Sequence, residues 1–386
     1  MKSLLISSIY FPPQVGGISH FMASIASALG PEHVCCLTGI RANGSTGGVH
    51  FAPRVYRRPA AFARPTSLQA VGWGVTITEI LLRERPKVVQ LATVDEGYLG
   101  LWLQRWFNLP FVVYAHGNEI LGAMQSDWPK PRLTLQQANR VLANSQFTAN
   151  LVQQVGVHPD KIDIVHPGCD ISRFRPLHPS PDLRQNLLGT RDRGRIILTV
   201  GGLVARKGHD MVIRALPRLR QTVPDVMYLI VGDGPYRTHL ETLAVALGVQ
   251  DHVIFAGKVP GEYLPDIYAL SDVFVMPSRE QLDVCDVEGF GIVFLEANAC
   301  GKPVVGGRSG GIPDAIIDGV TGLLVNPHDP EDIANALARL LTDGDLAVRI
   351  GRQGRLRVAS DFNWARLGRR VRGILDSILP GESIRN

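Results

Sequence analysis

A chain of 386 residues is long enough for two domains, and 45% hydrophobic content gives each the apolar material for a core. It has no run of 18 apolar residues, so a membrane-spanning helix is not expected; its five cysteines (Cys35, Cys36, Cys169, Cys285, Cys300) form no CxxC pair or metal-like spacing, which suggests a reducing, cytoplasmic setting. The formal charge of +5 is unevenly spread: residues 1–185 hold 17 Lys and Arg against 11 Asp and Glu, a net +6, whereas 186–386 hold 23 against 24, a net −1.

In chain order, the opening apolar run is too short for a leader peptide and stops at Pro12-Pro13, so residues 4–9 read as a first buried strand. Gly16 and Gly17 follow at a strand-to-helix turn, where bare backbone can approach a phosphate or a sugar, although any tight turn can use two glycines. Further strands are expected at 34–38, 88–91, 111–115 and 141–143. Residues 51–69 look like a loop in which Arg54, Arg57, Arg58 and Arg64 alternate with Phe51, Tyr56 and Phe62, a patch suited to anionic lipid headgroups or an acidic acceptor, or simply a solvated loop. His116, in the HGNE of 116–119, falls at a strand's carboxyl end, where a donor to a substrate hydroxyl is wanted; position alone does not make it catalytic. Asn144 to Thr148 resembles a helix N-cap, and 167–195, with Pro176, Pro179 and Pro181, reads as a proline-rich linker.

The second half repeats the rhythm, with strands expected at 196–200, 226–231, 253–256, 273–276, 304–305 and 323–325. Short apolar strands alternating with helices imply α/β architecture, two doubly wound parallel units with ligands at the strands' carboxyl ends and a cleft between the units. VGGLVARKG at 200–208 places Arg206 and Lys207 beside a glycine turn, where they would neutralise a diphosphate, and VGDGP at 231–235 ends another strand in a tight turn. EGFGIVFLE at 288–296 then sets Glu288 and Glu296 eight residues apart, with Gly289 and Gly291 at a helix start. If the segment between them is helical, the carboxylates are roughly 12 Å apart along one face. They would hold hydroxyls at two ends of an elongated ligand with phosphate between, as in a nucleotide-sugar; the alternative is an amphipathic helix with two solvated glutamates.

Taken together, GGI at 16–18, HGNE at 116–119, HPG at 166–168, VGGLVARKG, VGDGP and EGFGIVFLE, in this order and spacing, resemble the family 4 retaining glycosyltransferases of GT-B fold over nearly the whole chain. The resemblance implies two Rossmann-like domains facing each other across a cleft. Residues 1–175 would bind acceptor and 190–361 would bind the nucleotide-sugar, while a final helix near 362–380 crosses back to the first domain. It implies that Glu288 lies near the donor sugar hydroxyls and Glu296 on the ribose. Lys207 would hold the diphosphate with backbone N–H groups near Gly17, Phe290 and Gly291, and His116 would approach the sugar at the reaction centre, so that His116, Lys207 and Glu288 are the catalytic candidates. Gly16, Gly202, Arg206, Gly232, Asp233, Pro235, Gly289 and Ile292 complete the donor-binding set. One departure stands out: members similar to this chain commonly carry arginine where Gly202 stands, so one diphosphate donor is missing unless Arg206 replaces it.

The expected activity is transfer of a hexose from a UDP-glucose or GDP-mannose type donor to a hydroxyl of a glycan or lipid-linked saccharide, in polysaccharide or glycolipid biosynthesis, with retention of configuration. The resemblance implies metal independence, which fits the absence of an Asp-x-Asp pair at a strand end, DVCD at 283–286 being spaced differently; no cofactor is expected, the nucleotide-sugar being a substrate. Expected partners are the nucleotide-sugar and the saccharide acceptor, with peripheral contact at the cytoplasmic face of an anionic membrane and no nucleic acid. A sugar-nucleotide epimerase of the same fold, or a weakly active or noncatalytic nucleotide-sugar-binding relative, is the alternative. A dinucleotide oxidoreductase is disfavoured because no G-x-G-x-x-G follows the first strand.

Overall fold

A computed structural model describes residues 1–14, 16–40, 53–59, 67–125, 129–178, 180–189 and 194–379. The chain divides into two compact units, Met1–Pro167 with Trp364–Asn386, and Gly168–Asn363.

In the first unit, β1 (Ser3–Ser7), β2 (Val34–Ile40), β3 (Arg54–Pro59), β4 (Val88–Leu91), β5 (Phe111–Ala115), β6 (Arg140–Ala143) and β7 (Ile162–Ile164) form one sheet in the order β3-β2-β1-β4-β5-β6-β7. Every pairing is parallel. Strands β1, β4 and β5 are buried throughout, as continuous apolar runs covered on both faces should be. The helix Trp364–Ser377 belongs to this unit: Leu367, Val371 and Leu375 join the core of Leu5, Phe21 and Tyr114. Its Gly368 lies so close to the helix Gly17–Leu29 that an added Cβ would come within 2.7 Å of the Ala28 carbonyl.

Two strands here were not expected. The first, β3, runs through what looked like a basic loop, and it holds together because its cations find partners within the protein. Glu84 accepts from Lys2 (2.5 Å), Arg54 (2.9 Å) and the Tyr56 hydroxyl (2.8 Å), Arg57 donates to the Pro12 carbonyl (2.9 Å), and Arg58 donates to Thr76 Oγ1. The Lys2 bond foremost, with the other two donors, overrides burial and holds the Glu84 carboxyl at about 2. So Arg54, Arg57 and Arg58 staple an edge strand and do not form a loop patch, while Phe51, Phe62 and Arg64 lie outside the described residues. The second, β7, is three half-buried residues at the opposite edge.

The second unit contains β8 (Ile196–Val200), β9 (Met227–Val231), β10 (Val253–Gly257), β11 (Val273–Met276), β12 (Val304–Gly307) and β13 (Leu323–Val325), ordered β10-β9-β8-β11-β12-β13 and all parallel. Residues 168–189 are not a free linker. Cys169, Phe174 and Leu188 are buried in this unit's core, and Ser180 caps a helix, Pro181–Leu188, by accepting the Leu183 N–H (3.3 Å). In each sheet the order reverses once, between β1 and β4 and between β8 and β11, and a doubly wound sheet binds ligand at the carboxyl side of such a reversal.

Candidate active site

Three loops meet at the carboxyl ends of β8, β9 and β11. The Leu203 N–H donates to the Asp233 carbonyl (3.1 Å), and a Cβ on Gly232 or Gly234 would clash with the backbone of Gly201 or Leu203. Gly232 (φ 144°) is therefore demanded by loop packing before any ligand is considered. Gly208, at φ 74°, lets the β8 loop lie against Pro277 after β11. Asp233 and Pro235 stay exposed at the rim, with Asp233 Oδ1 accepting the Gly234 N–H (2.9 Å).

The loop after β8 closes in a short 3-10 turn, Ala205–Lys207, that aims two cations at one carboxylate. Lys207 Nζ and Arg206 Nη1 each lie 2.6 Å from Glu288 Oε2, and Arg206 Nε donates to Asp286 Oδ1 at 2.7 Å. The Arg206, Lys207 and Glu288 side chains are only 13–16% exposed. Burial pushes the Glu288 carboxyl up, but Lys207 and Arg206 pull harder and the net effect is downward, so it is ionised at neutral pH. Gly202 has ordinary φ, and a Cβ there would meet only the Asp233 carbonyl at 3.9 Å, so neither packing nor backbone requires glycine.

Glu288 and Glu296 do not share a helix. The helix Ile292–Ala299 starts after Gly291, where φ is 92° and an added Cβ would come within 2.6 Å of the Phe294 ring; Glu288 therefore belongs to the preceding loop and only Glu296 to the helix. The run of glycines between them breaks the helical spacing read from the sequence. Glu296 accepts the Tyr268 hydroxyl (2.7 Å), and its burial raises the carboxyl to about 7. Phe290 turns into the core against Phe362 (ring centroids 5.8 Å), Ile292 packs half-buried against the same core, and Gly289 is half-buried, which leaves the first N–H groups of this helix as the segment's donors.

At the reversal in the first sheet, Gly16 and Gly17 open the helix Gly17–Leu29, and a Cβ on either would meet nothing within 4 Å. They bare the backbone rather than yield to packing. His116 follows β5, is 8% exposed, donates from Nε2 to the Ala92 carbonyl (2.9 Å) and packs edge-on against Phe21 (5.9 Å). That bond fixes Nε2 as the ring's donor to the backbone.

Sequence reasoning missed three buried supports. Glu96 is fully buried and takes the Ser8 N–H and hydroxyl on Oε1 (both 2.7 Å) and the Thr93 N–H (3.0 Å) and hydroxyl (2.9 Å) on Oε2, tying the ends of β1 and β4 together. His209 is buried with its ring driven down to about 4 by burial; it donates from Nε2 to the Gly202 carbonyl (3.3 Å) and accepts the Tyr228 hydroxyl on Nδ1 (3.1 Å). Arg279 joins Asp210 (3.0 Å) and donates its backbone N–H to the Arg206 carbonyl (2.9 Å), bracing the cation turn. The T-x-x-E run at 93–96, a capping box, was the one signal available in the sequence for any of these.

Two family profiles match this chain, the one described as glycosyl transferases group 1 at residues 184–357 and that of glycosyltransferase family 4 at 15–173. A GDP-mannose-dependent α-(1-6)-phosphatidylinositol monomannoside mannosyltransferase of Mycolicibacterium smegmatis is 34% identical over 383 residues, spanning 96% of this chain and 98% of that protein. A D-inositol 3-phosphate glycosyltransferase of Salinispora arenicola is 36% identical over 314 residues, 75% of this chain and 67% of that protein. Among solved structures, Anabaena HepE in complex with UDP superposes with a TM-score of 0.80 at 23% identity over 98% of this chain and 100% of that one. Sucrose-phosphate synthase from Thermosynechococcus elongatus gives 0.80 at 24% over 98% and 99%. Two doubly wound parallel sheets with a cation and glycine site at a strand reversal define an enzyme of GT-B fold that transfers sugar from a nucleotide-sugar. More narrowly, the chain belongs to glycosyltransferase family 4.

Proposed function

We propose that this enzyme is a retaining, metal-independent mannosyltransferase that uses GDP-mannose and a glycolipid acceptor with a phosphoinositol headgroup, working at the cytoplasmic face of a membrane. The observation that carries the transfer chemistry is the pairing of Lys207 and Arg206 on Glu288 at the β8/β11 reversal. The donor and acceptor classes come from the relatives that match along their whole length, such as those of Mycolicibacterium smegmatis and Corynebacterium glutamicum (34% and 30% identical), both named as GDP-mannose-dependent mannosyltransferases.

In this reading the diphosphate takes Lys207 and Arg206 from Glu288, whose freed carboxylate turns to the mannose hydroxyls. Arg206 thereby replaces the arginine missing at Gly202. Charge that builds on the departing diphosphate in the transition state meets those cations and the N–H groups at the start of the helix Ile292–Ala299, which is where barrier lowering is largest in acyl and phosphoryl chemistry alike. Glu296 holds the ribose. The acceptor hydroxyl attacks from the face the diphosphate leaves, and a phosphate oxygen takes its proton. These cations supply the charge neutralisation a metal would otherwise give, so chelator should leave turnover unchanged.

The test is a thermal-shift panel of GDP, UDP and ADP, since a ligand at 100 times its Kd stabilises by about 2.7 kcal/mol. A response to GDP alone supports the reading; a response to UDP alone overturns the donor. A second reading, in which the acceptor is a soluble inositol phosphate, is favoured by the 36% identity to the Salinispora arenicola enzyme, and a free inositol phosphate used as well as the lipid would establish it.

A further inference from the structure

Arg206 and Lys207 can hold a diphosphate tightly only if the turn that carries them keeps its place once they let go of Glu288, because donors already aimed need no further ordering on binding. The turn Ala205–Lys207 does little of this by itself. Its own bonds run from the Lys207 N–H to the Val204 carbonyl (3.1 Å) and from the Gly208 N–H to the Ala205 carbonyl (3.3 Å), with the poorer geometry of a 3-10 turn.

Arg279, just beyond β11, supplies support from both sides. Its backbone N–H donates to the Arg206 carbonyl (2.9 Å), ahead of Gly208. Its guanidinium Nη2 donates to Asp210 Oδ2 (3.0 Å), past Gly208 in the first turn of the helix His209–Thr222. The segment 206–210 is thus clipped at both ends by one residue. The same guanidinium hydrogen-bonds the Tyr236 side chain, and the Tyr236 N–H donates to the Leu203 carbonyl (3.0 Å), so the loops after β8, β9 and β11 all meet on Arg279.

The Arg279 and Asp210 side chains are 12% and 9% exposed, and Asp210 Oδ1 is buried with no hydrogen-bond partner among the described residues. A buried ion pair adds little stability over an apolar pair of similar volume, so stability alone does not call for charges here; what a planar fork of donors adds is direction. None of these contacts uses Glu288. The clip therefore does not depend on the carboxylate from which a diphosphate would draw Arg206 and Lys207.

We infer that Arg279 is a positioning residue for the donor's diphosphate: through the Arg206 backbone and Asp210 it sets how tightly the outer phosphate is held, without touching the ligand. The inference rests on the nucleotide-sugar reading above and adds to it a residue outside the cation cluster.

The experiment is calorimetric titration of the full chain with GDP and with GMP, which lacks the outer phosphate, together with the melting temperature of each protein. Arg279→Met combined with Asp210→Leu removes both charges and leaves no unpaired carboxylate inside, so it should melt near wild type. Its affinity for GDP should fall about tenfold, the worth of one charged hydrogen bond, while GMP loses much less and the preference for GDP over GMP shrinks. Arg279→Lys keeps a cation for Asp210 without the second arm, and its preference should fall between the two. If the double variant melts early, Arg279→Lys decides by the same ratio. GDP and GMP weakened by one common factor would make Arg279 a support of the whole site, and unchanged affinities would make the ion pair idle; either result overturns the inference while wild-type GDP binding leaves the function standing. A wild type that binds UDP in place of GDP overturns only the donor base, and the UDP to UMP ratio then reads the same effect. A wild type that binds no nucleoside diphosphate refutes function and inference together.

Discussion

Lys207 and Glu288 are the residues on which the proposed chemistry turns; both stood out in the sequence because glycine turns and charges cluster within short motifs, and the structure pairs them at 2.6 Å. Lys207→Ala should cost on the order of 3 kcal/mol in kcat/KM, comparable to the loss of one oxyanion donor, and steady-state kinetics would show it as a loss in kcat more than in donor KM. Asp286 was not legible, because its role depends on an ion pair 80 positions back to Arg206. With the carboxylate gone, Arg206 has one fewer competitor for phosphate, so Asp286→Asn should tighten GDP severalfold by calorimetry; weaker binding would mean that Asp286 helps to aim the guanidinium instead. The raised carboxyl of Glu296 gives a signed pH dependence. Its folded value near 7 exceeds the ordinary 4.5, so the folded state binds the extra proton between those values and stability falls as pH rises from about 4.5 to about 7. Glu296→Gln should flatten that slope and raise the melting temperature at pH 8 in the ligand-free enzyme.

At the scale of elements, apolar runs revealed most strands, because a strand buried on both faces must be hydrophobic along its length. What was hidden is instructive. β3 is rich in arginine, and Glu84, Thr76 and the Pro12 carbonyl, all distant in sequence, make those charges compatible with a sheet edge. The helix Pro181–Leu188 hid behind prolines that start it rather than break it, with Pro181 in its first turn after the Ser180 cap. The supposed single helix through Glu288 and Glu296 failed because left-handed Gly291 delays its start. Glycine at the β9 turn is a packing requirement: at Gly232 a Cβ would overlap the Gly201 carbonyl at φ 144°. Gly232→Ala should therefore destabilise by about 2–3 kcal/mol, read as a fall in the urea midpoint without a change in slope.

On the scale of the whole molecule, the two units share one plan, a parallel sheet whose order reverses once. His116 and the bare Gly16-Gly17 turn belong to the first unit; Arg206, Lys207, Glu288 and Glu296 belong to the second. The alternation of strands and helices was enough to read this plan. The identity of the sugar was not, because one hydrogen bond to one hydroxyl separates the hexoses, and no residue type near Glu288 announces that choice. The most direct measurement is incubation of the purified enzyme with radiolabelled GDP-mannose and a phosphatidylinositol mannoside in mixed micelles, followed by extraction of the lipid phase. Label in a larger glycolipid, released as α-mannose by a configuration-specific mannosidase and dependent on Lys207, is the expected result. Label remaining in GDP-mannose while UDP-glucose is consumed with the same acceptor would contradict the account.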